Sequence, residues 1–480
     1  MTTHNGNSQI GRFAAWAFVS AAMGIASCSS SSGTTAVTTD LTWNEDIGPL
    51  VQANCGSCHY AGGSGHFDLM NYSSAKSWGP TALSAIKSGR MPPWPPSSNC
   101  REYLGDRTMA EDAIAKFEEW VAGGMPQGAG EAKSFMPVPV AKLRPDLTAK
   151  MPEPYTPDES LTDDYRCFIL DLDFPADTWV EGVDVVPATL QVHHVLTYAM
   201  NGSTLEAALK ADSDEPGPGY TCFGGPNPKN TSGMTAAATG GLPLQVGAWV
   251  PGSQSQPLPA NTALLIPGGS RLVMQVHYNT VTGKPVPDQT SITMQTRPDA
   301  PEFLYRTVPV AQPKLDIPAG EPAAAHSITI KHWGQSPTTL IGVAGHMHTL
   351  GTNIRGTILH TDNQQECLLD IPDWDFQWQM QYRLPADDYA IVKPGDSFKL
   401  DCIYDNSAAN QPMVDGVPRE PQDVAWGEGT YDEMCLMYLG TISPWVAPDP
   451  NATTACAAAS ECMKACNPQS ASCMLNCENL

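Results

Sequence analysis

The sequence predicts a mainly β chain, with two β-sandwich domains preceded by a small all-α unit. Three observations carry this. A length of 480 residues is enough for about three domains. With 41 glycines and 43 prolines, long uninterrupted helices are excluded from most of the chain. From Cys167 to about Trp445, short runs such as Cys167–Phe174, Thr189–Met200, Ser270–Thr280, Thr338–His348 and Ser397–Tyr404 alternate with Gly, Pro, Asn and Asp clusters, while capped helical periodicity appears ahead of residue 128. The formal charge of −24, without a basic cluster, excludes nucleic acid as a partner, because phosphate backbones are bound by displacing counterions with Lys and Arg. The 14 cysteines point away from a reducing cytosol.

Residues 1–27 read as an export signal. Arg12 supplies the positive region, Phe13 to Gly24 an apolar core too short to span a bilayer, and Ile25-Ala26-Ser27-Cys28 the cleavage region. Those four residues resemble a bacterial lipobox, which would make Cys28 a lipidated first residue and residues 28–40 a flexible tether. An ordinary secretory signal with an incidental Cys28 is the competing reading. Both predict an exported protein, in which any membrane attachment would be through lipid; the lipobox reading makes it a bacterial lipoprotein facing the periplasm or cell surface.

Residues 41–128 form the helical unit. Cys55-Gly56-Ser57-Cys58-His59 is a C-x-x-C-H run, the attachment pattern of c-type haem, in which two thiols add to the vinyl groups and the imidazole lies under the iron. Composition alone would produce about 0.01 such runs here, so the signal is specific. A zinc knuckle or a redox disulfide are the bland alternatives. Trp43 to Asn54 carries Ile47, Leu50 and Val51 at helical spacing, and a second helix is expected to open with the capping box Thr108-x-x-Glu111 and bury Ile114, Phe117, Trp120 and Val121. Between them, Arg90-Met91-Pro92-Pro93-Trp94 is a rigid loop suited to offering the Met91 thioether to iron, with Met70, Met109, Met125 and His66 competing. The unit looks like the single-haem cytochrome c domains attached to secreted bacterial oxidoreductases. A Pro-rich linker over residues 129–164 follows.

The sandwiches are expected at residues 165–305 and 306–450. Of 11 histidines, five fall in the contexts Val192-His193-His194-Val195, Gln275-Val276-His277-Tyr278 and Gly345-His346-Met347-His348. His346 and His348 project from one face of an extended strand and can share an ion, whereas adjacent His193 and His194 converge only where the strand departs from a flat ribbon. One such histidine is most often a satisfied sheet residue; five together ask for a metal. A further element is Gly427-Glu428-Gly429-Thr430-Tyr431-Asp432-Glu433-Met434-Cys435.

His-His, Gln-Val-His-Tyr, His-x-His and Asp-Glu-Met-Cys, in this order, resemble the copper type II ascorbate-dependent monooxygenases, the family of peptidylglycine α-hydroxylating monooxygenase and dopamine β-monooxygenase. The likeness extends over about residues 146–450 and includes Val246-Gly247-Ala248-Trp249. It implies two jelly-roll-like sandwiches and two copper ions: one on His193, His194 and His277, which stores and delivers an electron, and one on His346, His348 and Met434, where dioxygen and a small-molecule substrate meet. It further implies insertion of one dioxygen atom into a C–H bond, the other leaving as water, with ascorbate or another donor supplying electrons. The six ligands are neutral imidazole or thioether groups, which favour Cu(I) over zinc. Gln275 and Tyr438 match pocket positions. Ala344 stands where the peptide-processing branch has a carboxylate-clamping Arg, and Leu436 where it has Asn, which points to a smaller or more apolar substrate. An exported haem and copper electron-transfer or copper-handling lipoprotein is the competing function, and a periplasmic protein could supply electrons to either.

The resemblance also implies the bridges Cys167–Cys222 and Cys402–Cys435. In the tail, residues 451–480, the twin C-x3-C pattern suggests a stapled hairpin with Cys462–Cys477 and Cys466–Cys473. Of the remainder, Cys367–Cys456 is the expected pair and Cys100 the unpaired thiol.

Overall fold

The computed structural model describes residues 39–446, apart from 66, 139–141, 162, 223–224, 227, 229–242, 254–255, 281–283, 333, 415–416 and 428. The export signal, Cys28, most of the tether, and the tail with Cys456, Cys462, Cys466, Cys473 and Cys477 lie outside the described residues. Among the described residues no helix is long and apolar enough to cross a membrane.

The chain is mainly β. A nine-stranded sheet runs Leu147–Lys150, Ser291–Arg297, Thr178–Val186, Thr262–Ile266, Phe303–Ala311, Leu436–Pro444, Thr338–His346 and Tyr382–Arg383, with Ala390–Val392 also paired to Thr338–His346. A five-stranded sheet, in the order Tyr220–Thr221, Asp163–Phe174, Ser270–Asn279, Val192–Met200, Leu244–Trp249, encloses the first core with one end of it. That core includes Phe168, Leu170, Phe174, Met274 and Tyr278, all at most 2% exposed. A four-stranded sheet, Ala324–Lys331, Ser397–Tyr404, Gly351–Leu359 and Gln365–Ile371, accounts for the second core, built on Ile354, Ile358, Leu369, Phe398 and Leu400. The alternating burial of Ser397–Tyr404 is what a strand with one covered face requires.

The expected division at residue 305 falls within a shared strand. Phe303–Ala311 pairs in parallel with Thr262–Ile266 at Phe303 and Leu304, and antiparallel with Leu436–Pro444 along its length. The two sandwiches therefore share one continuous sheet. The segment expected as linker is likewise partly built in, since Leu147–Lys150 is an edge strand paired with Ser291–Arg297, and Phe135 packs edge-on against Trp43.

Ahead of the sandwiches, a π-turn at Trp43–Ile47 and the helices Gly48–Cys55, Tyr72–Lys87 and Glu111–Ala122 share a core of their own, with Trp43, Ile47 and Trp120 fully buried. The helix Tyr72–Lys87 contains Gly79 and Pro80, which mask it in the sequence; the Asn71 side chain caps it by accepting from the Ser74 N–H at 2.9 Å. The expected capping box does not form. The Thr108 N–H instead donates to Asp106 at 2.6 Å, and extended Ala110 is the N-cap of Glu111–Ala122 without a side-chain bond.

Residues 94–104 leave this helical cluster and strap onto the second sandwich. The Ser97 N–H donates to the Asp370 carbonyl at 2.8 Å, Arg101 bridges Glu366 and Asp388 at 2.8 Å each, and the Leu104 N–H donates to the Arg383 carbonyl. Cys100 is bonded to Cys367. This corrects the expected Cys367–Cys456 pair and the expected free Cys100, because the strap carries a thiol to a partner 267 residues away, a contact no local spacing encodes.

Candidate metal centres

The first cluster is assembled by strand register. His194 lies opposite His277, and a bulge between Val192 and His194 breaks the strict alternation of the strand. The extra residue re-aims one side chain, so both adjacent histidines turn toward His277. Their ligand atoms all lie within 4.8 Å of one another. His194 Nδ1 is 3.4 Å from His193 Nδ1 and 3.3 Å from His277 Nδ1. Such separations are what nitrogens show when each binds one ion at about 2 Å.

The second ring nitrogen of His277 sets its tautomer. Nε2 donates to Asp163 Oδ1 at 2.8 Å, leaving the Nδ1 lone pair toward the cluster, and Tyr165 stacks flat on the ring at 4.1 Å. Burial first, then the neighbouring imidazoles, holds His194 and His277 well below the ordinary histidine range, so both are neutral at pH 7. His193 is also lowered by burial, and its Nε2 is buried with no hydrogen-bond partner. Three neutral imidazoles with convergent nitrogens fit a soft, low-coordinate cation.

His346 and His348 end the strand Thr338–His346 and begin the loop after it, with ring centroids 5.1 Å apart. The Gln379 amide donates to the Phe376 carbonyl at 2.8 Å, which points its oxygen at His346 Nδ1. His348 Nδ1 donates to the Asp432 carbonyl at 3.0 Å. Both histidines therefore keep Nε2 for a ligand. Burial, followed by the His348 charge, lowers His346 to about 3. Met434 follows Asp432 and Glu433 in the loop that wraps His348; its carbonyl accepts from Tyr404 at 2.8 Å, and the Cys402–Cys435 bridge pins the next residue.

The remaining expected site residues divide. Tyr438 faces Ala344 across the sheet, one same-face step from the pair His346 and Leu436. Gln275 is buried elsewhere, donating to the Gly225 carbonyl at 2.9 Å beside the Cys167–Cys222 bridge. In the helical cluster, Cys55 and Cys58 are not joined to each other, and His59 Nδ1 lies 3.2 Å from the Phe67 carbonyl. A Cβ at Gly56 would meet the Met70 sulfur at 3.2 Å. Met70 and Met109 are buried in that core, whereas Met91 is half-buried where the strap begins and is not among its members.

The loop Asp373–Gln379 was not singled out from the sequence, yet it touches both clusters. Phe376 stacks on His193 at 5.2 Å and meets His348 edge-on at 6.1 Å, and Trp374 Nε1 donates to the His348 carbonyl at 3.2 Å. Its three aromatics in seven residues, alternating with Asp and Gln, were the available signal.

Residues 317–470 match the family described as copper type II ascorbate-dependent monooxygenase, C-terminal domain. No curated protein matches the chain. Among solved structures it is similar to the major capsid protein P2 of bacteriophage PM2, 8% identical with a TM-score of 0.24 over 63% of this chain and 98% of that one. It is also similar to Broad Bean Stain Virus, 6% identical with a TM-score of 0.27 over 60% and 91%. At such scores these two likenesses carry no argument.

Proposed function

We propose, from the premise that residues 317–470 are a copper type II ascorbate-dependent monooxygenase C-terminal domain, that this chain is a copper-dependent monooxygenase hydroxylating a C–H bond with dioxygen. The single observation that supports it best is the pair of neutral histidine clusters, in which His277, His346 and His348 each have one ring nitrogen against an oxygen. His193, His194 and His277 would hold one copper, and His346, His348 and Met434 the other. When bound, copper supplies one-electron chemistry and an open position for dioxygen. The chain's own contribution is to hold the imidazoles neutral, fix their tautomers and bury them. The net reaction takes a C–H bond, dioxygen, two electrons and two protons to an alcohol and water.

The electrons enter either from ascorbate or through a haem carried on Cys55, Cys58 and His59. The C-x-x-C-H run, with Cys55 and Cys58 not joined to each other, is what supports haem; there the two thiols and the His59 imidazole would hold the group. Met91 is the sequence candidate for the opposite face. Ala344, beside Tyr438 and in line with His346, offers no cation for a substrate carboxylate, so the substrate is read as a small neutral or apolar molecule. Export and lipid anchoring at Cys28 complete the reading and place the donor among periplasmic proteins.

Metal analysis of the purified protein should find two coppers and one iron per chain, with haem surviving acid-acetone extraction. Isotopic dioxygen should label a hydroxylated product with one oxygen atom. Copper present without any oxygen incorporation across a panel of C–H substrates would favour the electron-transfer reading instead.

A further inference from the structure

We infer that Glu433 is a positioning residue that holds the histidine loop and the methionine loop of the second cluster in register before a metal arrives. The inference rests on the proposed assignment of His346, His348 and Met434 as ligands.

Glu433 is fully buried, with 0% exposure. Its Oε2 accepts the His348 N–H at 2.8 Å and the Met434 N–H at 3.3 Å, and its Oε1 accepts the Leu350 N–H at 2.7 Å. A carboxyl group removed from water without a cation needs N–H donors to replace its hydration. These three come from both sides of the cluster: His348 and Leu350 from the loop after His346, and Met434 from the loop that carries the thioether.

Two further bonds complete the lock from the acceptor side. Trp374 Nε1 donates to the His348 carbonyl, and the Tyr404 hydroxyl donates to the Met434 carbonyl. The peptide groups at His348 and Met434 are thus gripped on both faces, and each grip on the N–H side is Glu433. The Cys402–Cys435 bridge fixes only the residue beyond Met434 and reaches neither histidine. An isosteric amide at 433 would keep the volume and one acceptor oxygen but turn an NH2 toward backbone N–H groups.

Anaerobic Cu(I) titration against a competing chelator, with X-ray absorption at the copper edge, tests this on full-length Glu433→Gln. Copper on the three-histidine cluster should bind with unchanged affinity. The second copper should bind about tenfold more weakly or worse, the cost of leaving one of these buried N–H groups without its acceptor. Its copper–sulfur scattering should weaken or vanish. Second-site affinity within twofold of the unmutated chain, with copper–sulfur scattering intact, would overturn the inference.

A second measurement needs no substitution. In the copper-free natural chain, the amides of His348, Leu350 and Met434 should exchange slowly with deuterium; exchange at the rate of an unprotected loop would overturn the inference even if the variant failed to fold. Absence of copper at the second cluster of the unmutated chain would sink the functional assignment, and the inference with it. Protected amides combined with normal copper–sulfur scattering in Glu433→Gln would sink only the positioning role.

Discussion

Replacing Asp163 should weaken metal binding at the three-histidine cluster more than at the second cluster, which it reaches only through Thr430 and its charge near His348. Asp163 Oδ1 accepts from Nε2 of fully buried His277 at 2.8 Å, and its own side chain is only 13% exposed, so no water stands ready to substitute for it. Losing a carboxylate partner of a ligating histidine typically costs about 10- to 100-fold in metal affinity. Asp163→Asn keeps an acceptor oxygen in place and belongs at the lower end. Asp163→Ala leaves a buried N–H without a partner and frees the ring to adopt the other tautomer, so it belongs at the upper end, about 2.7 kcal/mol. Cu(I) competition titrations on the two variants, resolved by site, give the order directly. If Asp163→Ala bound the first copper within twofold of the natural chain, the claim that this carboxylate selects Nδ1 as the ligand atom would be refuted.

Three further outcomes follow from the same geometry. The copper-free protein should lose stability as pH falls: His346 titrates near 3 when folded against 6.5 when free, so between those values the unfolded chain binds the extra proton. That one group accounts for as much as about 5 kcal/mol over the whole window and about 2 kcal/mol by pH 5. His193, His194, His277 and His348 shift in the same direction and add to it, and urea unfolding at pH 7.5 and pH 5 without copper checks the sign. Cys100→Ser should cost about 3 to 5 kcal/mol and open the strap to limited proteolysis, read as new cleavage between residues 91 and 107; an unchanged melting temperature and digest would count against the staple. Phe376→Ala removes ring contacts to His193 and His348 together, so it should weaken copper at both clusters by about two- to tenfold, since each aromatic contact is worth about 0.5 to 1.5 kcal/mol; movement at only one site would show that the loop serves one cluster.

The histidines that the structure gathers into clusters were legible because their spacing is local. The pairs His193/His194 and His346/His348 are adjacent or two apart, and His277 sits in a run whose alternation marks a strand. How adjacent histidines converge was not legible, because a bulge is a property of the pairing between Val192–Met200 and Ser270–Asn279 and leaves no mark in either strand alone. The bridges Cys167–Cys222 and Cys402–Cys435 agree with expectation, whereas Cys100–Cys367 depends on a strap whose destination is decided by tertiary contacts of Ser97, Arg101 and Leu104. The helix Tyr72–Lys87 was hidden by Gly79 and Pro80, residues that ordinarily end helices and are here carried by packing. Strand positions were predicted to within a few residues, but the single sheet spanning both sandwiches was not, since a parallel contact of only Phe303 and Leu304 with Thr262 and Ala263 creates it.

The two clusters are held by different means, and the difference bears on what each can do. All three histidines of the first cluster stand on neighbouring strands of one sheet, so backbone register sets the spacing that Asp163, Tyr165 and Phe376 then refine. Under the proposed function, a set fixed in this way would resist rearrangement when a bound ion changed charge, as a centre that only accepts and passes an electron requires. The second set is scattered over a strand end, the loop after it and a separate loop reaching Met434, and among the described residues no ladder bond connects the last two. It depends on side chains for its shape: Gln379 on His346, Glu433 on the backbone of His348 and Met434, Trp374 on the His348 carbonyl. Such a site can yield by rotating a side chain without breaking a sheet. On the proposed function, room to admit dioxygen and a substrate would be gained at the second cluster at little cost to the fold, while at the first cluster the same movement would require the strands Val192–Met200 and Ser270–Asn279 to part.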